Sequence, residues 1–210
     1  EKLGQLKADT KIMIGGYPKH YYYKIPDQDE IKNELGINTE KKILVYFPTW
    51  DEDCGIIKFG KQIAKLKNQY FIIIKLHHVL SRDFSNPARK MAYEIADMVL
   101  GGNYDFEKAT ALADFILSDA KSGATLESLY LNQQTPAAFL SVRENINEWY
   151  YPEISMAAPV ISNPDRLNEV IENYKLSDFI ESRKNVILRC YGKSNYPYFK
   201  ENVSDLLQVI

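Results

Sequence analysis

The chain has 210 residues, of which 45% are hydrophobic and 26% are charged, the composition of a globular protein with one sizeable core. Its 26 lysines and arginines are offset by 28 acids, and the net charge of -2 excludes the broad basic surface of a nucleic-acid-binding protein. No apolar run reaches the roughly 20 residues of a membrane-spanning helix, and the two cysteines lack paired spacing, so we expect a cytoplasmic domain with reduced thiols.

Short apolar runs alternate with amphipathic segments along the chain. Six runs are predicted strands, at 11–16, 42–47, 70–76, 97–102, 113–118 and 136–140. Apolar spacing predicts helices at 27–35, 57–67, 87–95, 107–112 and 122–131, and, after a loop over 141–161, at 165–174, 176–184 and 203–209. Continuous Ile, Val and Leu runs indicate strands buried on both faces. The sequence thus predicts an α/β fold in one domain over 1–210, a Rossmann-like parallel sheet of about six strands with helices on both faces.

The turn after the fifth predicted strand has the residues of an anion-binding site. Ser118 and Asp119 end the strand, Lys121 lies in the turn, and the following helix carries Glu127. Ser122 is expected to cap this helix, with amide hydrogens pointing out of the positive end of the helix dipole. Those amides belong to Gly123, Ala124 and Thr125. A phosphate or diphosphate fits there, while a plain cap at Ser122 and a solvated carboxylate at Glu127 are the alternatives without a ligand.

Several other catalytic motifs are absent, which narrows the function. The sequence has no G-x-G-x-x-G after a strand, no P-loop and no G-x-S-x-G, which argues against dinucleotide oxidoreductases, P-loop nucleotidases and serine hydrolases. His77 and His78 follow the third strand, where a histidine can contact phosphate or move a proton. These histidines with Asp83, or the acidic run at 51–53, also suggest a metal. Adjacent histidines on an extended segment diverge, however, and the acids suit a solvated loop, so we predict no metal and no cofactor.

Five short motifs occur in an order that resembles a known family. They are Gly16-Tyr17-Pro18-Lys19, Pro48-Thr49-Trp50, Lys75-Leu76-His77, Asp119 to Ser122 with Glu127, and Tyr191-Gly192-Lys193. Together they resemble the C-terminal nucleotide-binding half of the CDP-glycerol glycerophosphotransferases, the teichoic-acid polymerase-like members of the GT-B architecture. Lys19, Lys121 and Tyr191 depart from the family pattern, which has arginine, serine and aspartate at these positions.

This resemblance implies an enzyme domain that binds a CDP-alcohol donor such as CDP-glycerol. An acceptor hydroxyl would attack the phosphorus beside the alcohol and release CMP, in the synthesis of a cell-surface polymer. The implied partners are a polymer or glycolipid acceptor and an N-terminal Rossmann-like domain, because GT-B enzymes place the active site between two such halves. The chain begins with Glu1 rather than methionine, so we expect it to be part of a longer protein, peripheral at the inner face of the cell membrane.

The resemblance also implies roles for individual residues. His77 is the implied catalytic residue and stabilises the leaving group, with His78 as the alternative. The implied donor-binding residues are Pro18, Lys19, Thr49, Lys75, Ser118, Asp119, Lys121, Ser122, Gly123, Ala124, Thr125 and Glu127. Among these, 122–125 would hold the diphosphate and Glu127 the ribose. Two other interpretations stay open: a GT-B glycosyltransferase or UDP-sugar 2-epimerase-like domain that uses a sugar nucleotide, and a non-catalytic interaction domain that retains the fold.

Overall fold

The computed structural model describes residues 24–144 and 153–192 together with Ser204. Lys24–Ile187 form one compact unit. The second unit comprises Glu1–Tyr23 and Leu188–Ile210, of which 188–192 and Ser204 are described. The strand predicted at 11–16 and, apart from Ser204, the helix predicted at 203–209 lie outside the described residues. The single domain over 1–210 stays a prediction.

Strands and helices alternate through the described residues. The strands are β1 (Lys42–Phe47), β2 (Tyr70–Lys75), β3 (Met98–Leu100), β4 (Phe115–Asp119), β5 (Ala137–Leu140) and β6 (Val160–Ile161). The α-helices are α1 (Gln28–Leu35), α2 (Ile56–Lys65), α3 (His78–Arg82), α4 (Pro87–Ile95), α5 (Phe106–Ala111), α6 (Ala124–Leu131), α7 (Ile154–Ala157), α8 (Leu167–Glu172) and α9 (Ile180–Tyr191). No helix among these has the length and apolar character needed to cross a membrane.

The six strands form one parallel sheet in the order β3-β2-β1-β4-β5-β6. This confirms the predicted Rossmann-like sheet, and the five predicted strands that fall on described residues agree with it to within two residues. β6 was missed, because its two residues lie in the segment predicted as a loop and are too few to show a period. Val160 nevertheless pairs with Phe139 of β5, so β6 is the edge strand on that side of the sheet.

The sheet is covered on both faces, as its apolar strands predict. Every residue of β4 and β5 is buried, as are residues 43–47 of β1. Successive side chains of a strand point to opposite faces, so burial of consecutive residues requires cover on each side. Phe59 and Ile63 of α2 belong to the core cluster that packs on one face. Each such fully buried apolar side chain contributes about 1.5–3 kcal/mol, which gives the loops at the strand ends a rigid base.

A buried arginine fastens the part of the chain around β5 and β6. The Arg183 side chain is 0% exposed, and its guanidinium donates to the carbonyl oxygens of Gln133 and Thr135, both at 2.8 Å, and of Ala157 at 3.0 Å. It also donates to the Tyr174 hydroxyl at 2.7 Å. Arg183 therefore joins α9 to the connections that precede β5 and β6.

The position of a ligand crevice follows from the strand order. β1 pairs with β2 on one side and with β4 on the other. The strands from β1 to β3 extend the sheet in one direction and those from β4 to β6 extend it in the other, so the switch point lies between β1 and β4. In open parallel sheets, ligands bind beyond the carboxyl ends of the strands at such a switch point. The loops that follow β1 and β4 are therefore the first place to look for a site.

Candidate functional site

A buried carboxylate joins the two loops at the switch point. Asp119, the last residue of β4, is 0% exposed. Its Oδ1 accepts hydrogen bonds from the Tyr46 hydroxyl at 2.6 Å and the Gly55 amide at 3.0 Å, and its Oδ2 accepts one from the Thr49 amide at 2.7 Å. Asp119 thus fixes both ends of the loop that connects β1 to α2.

Burial governs the proton affinity of this carboxyl. Desolvation raises the pKa of Asp119 to about 7, against the hydrogen bonds from Tyr46, Thr49 and Gly55, which lower it. Burial and the nearby Asp119 likewise raise the pKa of the Tyr46 hydroxyl well above its ordinary value. The carboxyl group titrates near neutral pH while it remains enclosed by its three donors.

Three of the predicted donor-binding residues, Ser118, Asp119 and Thr125, are buried in the structure. All three are at most 1% exposed. The Thr125 hydroxyl donates to the Asp119 carbonyl at 2.7 Å and lies 3.0 Å from the Ser118 hydroxyl, which bonds to the Phe47 carbonyl at 3.3 Å. These polar groups are hydrogen-bonded within the protein and shape the turn, so their donor-binding role stays a prediction.

In the turn before α6, two of the three amides that the sequence predicted for an anion have acceptors within the protein. The Ala124 amide donates to the Ser122 hydroxyl at 3.2 Å, and the Thr125 amide donates to the Ser122 carbonyl at 3.1 Å. The Gly123 amide has no protein acceptor within the described part of the chain, and a Cβ placed on Gly123 would meet no atom within 4 Å. The Ser122 hydroxyl and carbonyl therefore occupy the first two amides of α6, whose N-cap residue is Gly123, and Gly123 is the exposed position of the turn.

An ion-pair network links the loops after β1, β4 and β5. The Asp53 carboxylate, in a side chain 4% exposed, accepts from Lys121 Nζ at 2.6 Å and from Arg143 Nε at 2.7 Å and Nη2 at 3.1 Å. Burial alone raises the pKa of Asp53, but the hydrogen bonds from Lys121 and Arg143 bring it below its ordinary value overall. The acidic run at 51–53 is thus not a wholly solvated loop, because Asp53 points inward.

Arg143 is a functional candidate that the sequence reasoning missed. It lies in the segment predicted as a loop after the last strand, where no periodicity marks individual residues. The available signal was its place, three residues after the end of β5, because polar residues just past the carboxyl ends of parallel strands face the crevice.

His77 follows β2 and lies at the start of α3. Its Nδ1 accepts a hydrogen bond from the Val79 amide at 3.3 Å, so the neutral ring carries its proton on Nε2. Burial, followed by the charges of His78 and Lys75, lowers the pKa of His77 below its ordinary value. The Trp50 ring stacks beside it at a centroid distance of 6.1 Å. At neutral pH, His77 is therefore an uncharged hydrogen-bond donor at the strand ends.

The other predicted site residues have varied surroundings. Lys75 donates from Nζ to the Gly102 carbonyl at 3.1 Å, which ties the end of β2 to the loop after β3. Glu127 lies half-buried in the first turn of α6. Thr49 is 7% exposed and is held by its amide. Pro18, Lys19 and Lys193 lie outside the described residues.

An open groove runs beside these loops. It has a volume of about 370 Å³, and its lining includes Trp50, Cys54, Ile57, Pro87 and Val142. Burial raises the pKa of the Cys54 thiol to about 12, so Cys54 contributes an unreactive wall. Among the residues that the structure describes, no group of three or more His, Cys, Asp and Glu side chains is placed to hold a metal ion.

The sequence is similar to those of two teichoic acid polymerases. The chain is 27% identical over 190 residues to the teichoic acid poly(glycerol phosphate) polymerase of Bacillus spizizenii, and the match covers 80% of this chain and 46% of that protein. It is 23% identical over 192 residues to the polymerase of the same name from Bacillus subtilis, covering 81% of this chain and 25% of that one. The chain thus spans about half the length, or less, of these relatives.

Solved structures show the same fold. A structure of the wall teichoic acid polymerase TagF with CDPG superposes with a TM-score of 0.59 at 18% identity, covering 86% of this chain and 45% of that one. MurG of Acinetobacter baumannii superposes with a TM-score of 0.52 at 11% identity, covering 93% and 59%. The fold is therefore the α/β fold of GT-B transferases. The model of the family described as CDP-Glycerol:Poly(glycerophosphate) glycerophosphotransferase matches residues 6–122, more than half of the chain, and the protein belongs to that family.

Proposed function

We propose that this chain is the donor-binding domain of a glycerophosphotransferase, which holds CDP-glycerol while an acceptor hydroxyl attacks it. Membership of the family is the observation that carries the proposal. The strand-end loops support it, since Gly123, Lys121 and His77 offer an open amide, a cation and a neutral donor in the region where a parallel sheet binds ligands.

The donor diphosphate is proposed to lie against the turn before α6. The Gly123 amide donates to a phosphate oxygen, and Lys121 adds a positive charge beside it. Ser122 acts by shaping the turn, because its hydroxyl and carbonyl already accept the Ala124 and Thr125 amides. Glu127, one helical turn later, is proposed to accept hydrogen bonds from the ribose hydroxyls. A charge-assisted hydrogen bond of this kind contributes about 1.5–3 kcal/mol.

The proposed reaction is an in-line displacement at the phosphorus that carries the glycerol. The acceptor oxygen forms the new bond to this phosphorus while the bond to the bridging oxygen of CMP breaks. The bridging oxygen keeps the electron pair and leaves as part of CMP, and the hydroxyl proton passes to a base. His77 donates its Nε2 proton in a hydrogen bond to the phosphate oxygens as their charge develops. The contribution of such a preorganised donor is about a hundredfold in rate or more.

The rest of the active site is proposed to come from an N-terminal Rossmann-like domain of a longer protein, together with the acceptor polymer or glycolipid. The chain spans 46% of the Bacillus spizizenii relative, which fits one half of a two-domain enzyme. We therefore expect this chain alone to bind the donor but to transfer no glycerophosphate.

Calorimetric titration with CDP-glycerol, UDP-N-acetylglucosamine and GDP-mannose tests the proposal. We expect binding of CDP-glycerol and at least tenfold weaker binding of the sugar nucleotides. Gly123→Asp places a carboxylate at the open position and should weaken CDP-glycerol binding at least tenfold. Asn38→Asp adds the same charge at an exposed residue of the α1–β1 connection and should leave binding unchanged. Preference for a sugar nucleotide would overturn the donor assignment, and absence of all binding would favour a non-catalytic interaction domain.

A further inference from the structure

Arg143 lies three residues after the end of β5, in a stretch of backbone over 141–143 that is anchored by hydrogen bonds. Its amide donates to the Ser141 hydroxyl at 3.1 Å, and the same hydroxyl bonds to its carbonyl. Lys58 Nζ, from α2, donates to the Val142 carbonyl at 3.1 Å. The backbone at Arg143 is thus held by local hydrogen bonds and by one hydrogen bond from α2. These bonds fix the position of the Arg143 main chain.

One carboxylate orients two cations. Asp53 accepts two hydrogen bonds from the Arg143 guanidinium and one from the Lys121 ammonium, although these cations come from loops that follow different strands. The Asp53 side chain is 4% exposed, whereas those of Arg143 and Lys121 are 39% and 36% exposed. The negative charge is therefore enclosed, and the outer surfaces of both cations face solvent.

The local charges favour an anion at this outer surface. Two cations share the single enclosed carboxylate of Asp53. Glu52 also approaches Arg143, at 3.6 Å, but its side chain is 75% exposed, and an ion pair this exposed contributes little. Asp53 therefore orients two cations, and each keeps more than a third of its side chain exposed.

Stability alone does not account for this arrangement. Removing a carboxylate from water costs free energy that ion pairing only partly returns, so a buried ion pair is weak evidence for a stabilising role. An orienting role explains the geometry, because the Nε and Nη2 edge of Arg143 is matched to both carboxylate oxygens at 2.7 and 3.1 Å. Lys121, the other cation, precedes the open Gly123 by two residues.

We propose that Arg143 is a second phosphate-binding side chain of the donor site and that Asp53 is its positioning residue. The proposal rests on the proposed function and deepens it. The Gly123 amide and Lys121 contact one phosphoryl group of a nucleoside diphosphate, and Arg143 contacts the other. The site thereby distinguishes a diphosphate from a monophosphate by a residue on the β5 side of the crevice.

Titration of the full chain with cytidine, CMP and CDP tests this inference, because the three ligands differ only in phosphate number. For Arg143→Gln we expect CDP affinity to fall about tenfold to a hundredfold, with cytidine affinity unchanged within twofold. Arg143→Lys should restore part of the loss. Asp53→Asn should reproduce the selective loss of CDP affinity while cytidine binding persists.

Two variants serve as controls. Glu52→Gln removes the exposed acid beside Arg143 and should leave CDP affinity equal or slightly higher. Arg166→Gln removes the same charge as Arg143→Gln, from an ion pair with Glu169 whose side chains are 63% and 60% exposed, and should change no affinity. Urea unfolding of each variant establishes that it is folded at the temperature of the titration.

The outcomes separate the two proposals. Equal loss of cytidine and CDP affinity in Arg143→Gln would assign a merely structural role to Arg143 and overturn the inference. Unchanged CDP affinity in Arg143→Gln, with wild-type CDP binding tighter than CMP binding, would overturn it as well and leave the proposed function standing. A wild-type chain that binds none of the three ligands would refute the proposed function itself.

Discussion

Replacement of Asp119 by asparagine tests how the switch point is held together. The Asp119 carboxylate accepts hydrogen bonds from the Tyr46 hydroxyl and from the Gly55 and Thr49 amides. The Asp119 side chain is 0% exposed. Asparagine has the same shape but only one acceptor oxygen. Whichever way its amide turns, the Gly55 or the Thr49 amide loses its acceptor and faces another N–H group. An unpaired buried amide costs about 1–3 kcal/mol, which is the expected loss at acid pH.

The size of this loss should depend on pH. The pKa of Asp119 is raised from 3.8 to about 7 by burial, so the folded state holds this proton more tightly than the unfolded state. The resulting stabilisation is complete below pH 4 and is lost as the pH rises through 7. Between pH 5 and pH 8 the wild type should lose about 2–3 kcal/mol from this group, a loss that Asp119→Asn cannot show. The variant should therefore approach or exceed the wild type in stability at pH 8.

Urea unfolding of both proteins at pH 5, 6, 7 and 8 measures this effect, since the difference between their unfolding free energies cancels the other titrating groups. Tyr46→Phe provides a further check. Its hydroxyl lowers the pKa of Asp119, so its loss should move the midpoint of the pH dependence upward. A difference between wild type and Asp119→Asn that is constant from pH 5 to pH 8 would refute the reasoning, because it would mean that Asp119 does not change its protonation in this range.

Three further predictions concern other parts of the structure. Gly55→Ala should lower the unfolding free energy by about 1–3 kcal/mol, because its Cβ would stand 2.6 Å from Asp119 Oδ1, whereas Gly123→Ala should change it by less than about 0.5 kcal/mol in the same urea assay. Arg183→Met removes hydrogen bonds to three backbone carbonyls and should lower stability by about 3–5 kcal/mol; a melting temperature within 2 °C of the wild type would contradict that role. Cys54, with its thiol pKa raised to about 12, should resist iodoacetamide at pH 7.5 in the folded protein and react in urea, as followed by mass spectrometry.

The sheet was predictable from sequence because each strand is a local pattern. Continuous apolar runs mark β1, β2, β4 and β5 without reference to the rest of the chain. The site was only partly predictable, because its contacts join distant residues. Asp53 is separated from Lys121 by 68 positions and from Arg143 by 90, and no local pattern distinguishes its carboxylate from those of its acidic neighbours. The three amides expected at the helix start became one because Ser122 accepts the other two, a detail of turn geometry.

Two carboxylates organise the loops at the switch point. Asp119 lies at the end of β4 and holds the β1–α2 loop through hydrogen bonds from the Thr49 and Gly55 amides. Asp53 lies in that same loop and holds Lys121 and Arg143 from the loops after β4 and β5. The loop between β1 and α2 is thus fixed at its ends by one acid and carries the other acid, which binds the two cations. These contacts lie within the protein and fix the positions of Thr49, Gly55, Lys121 and Arg143 relative to one another.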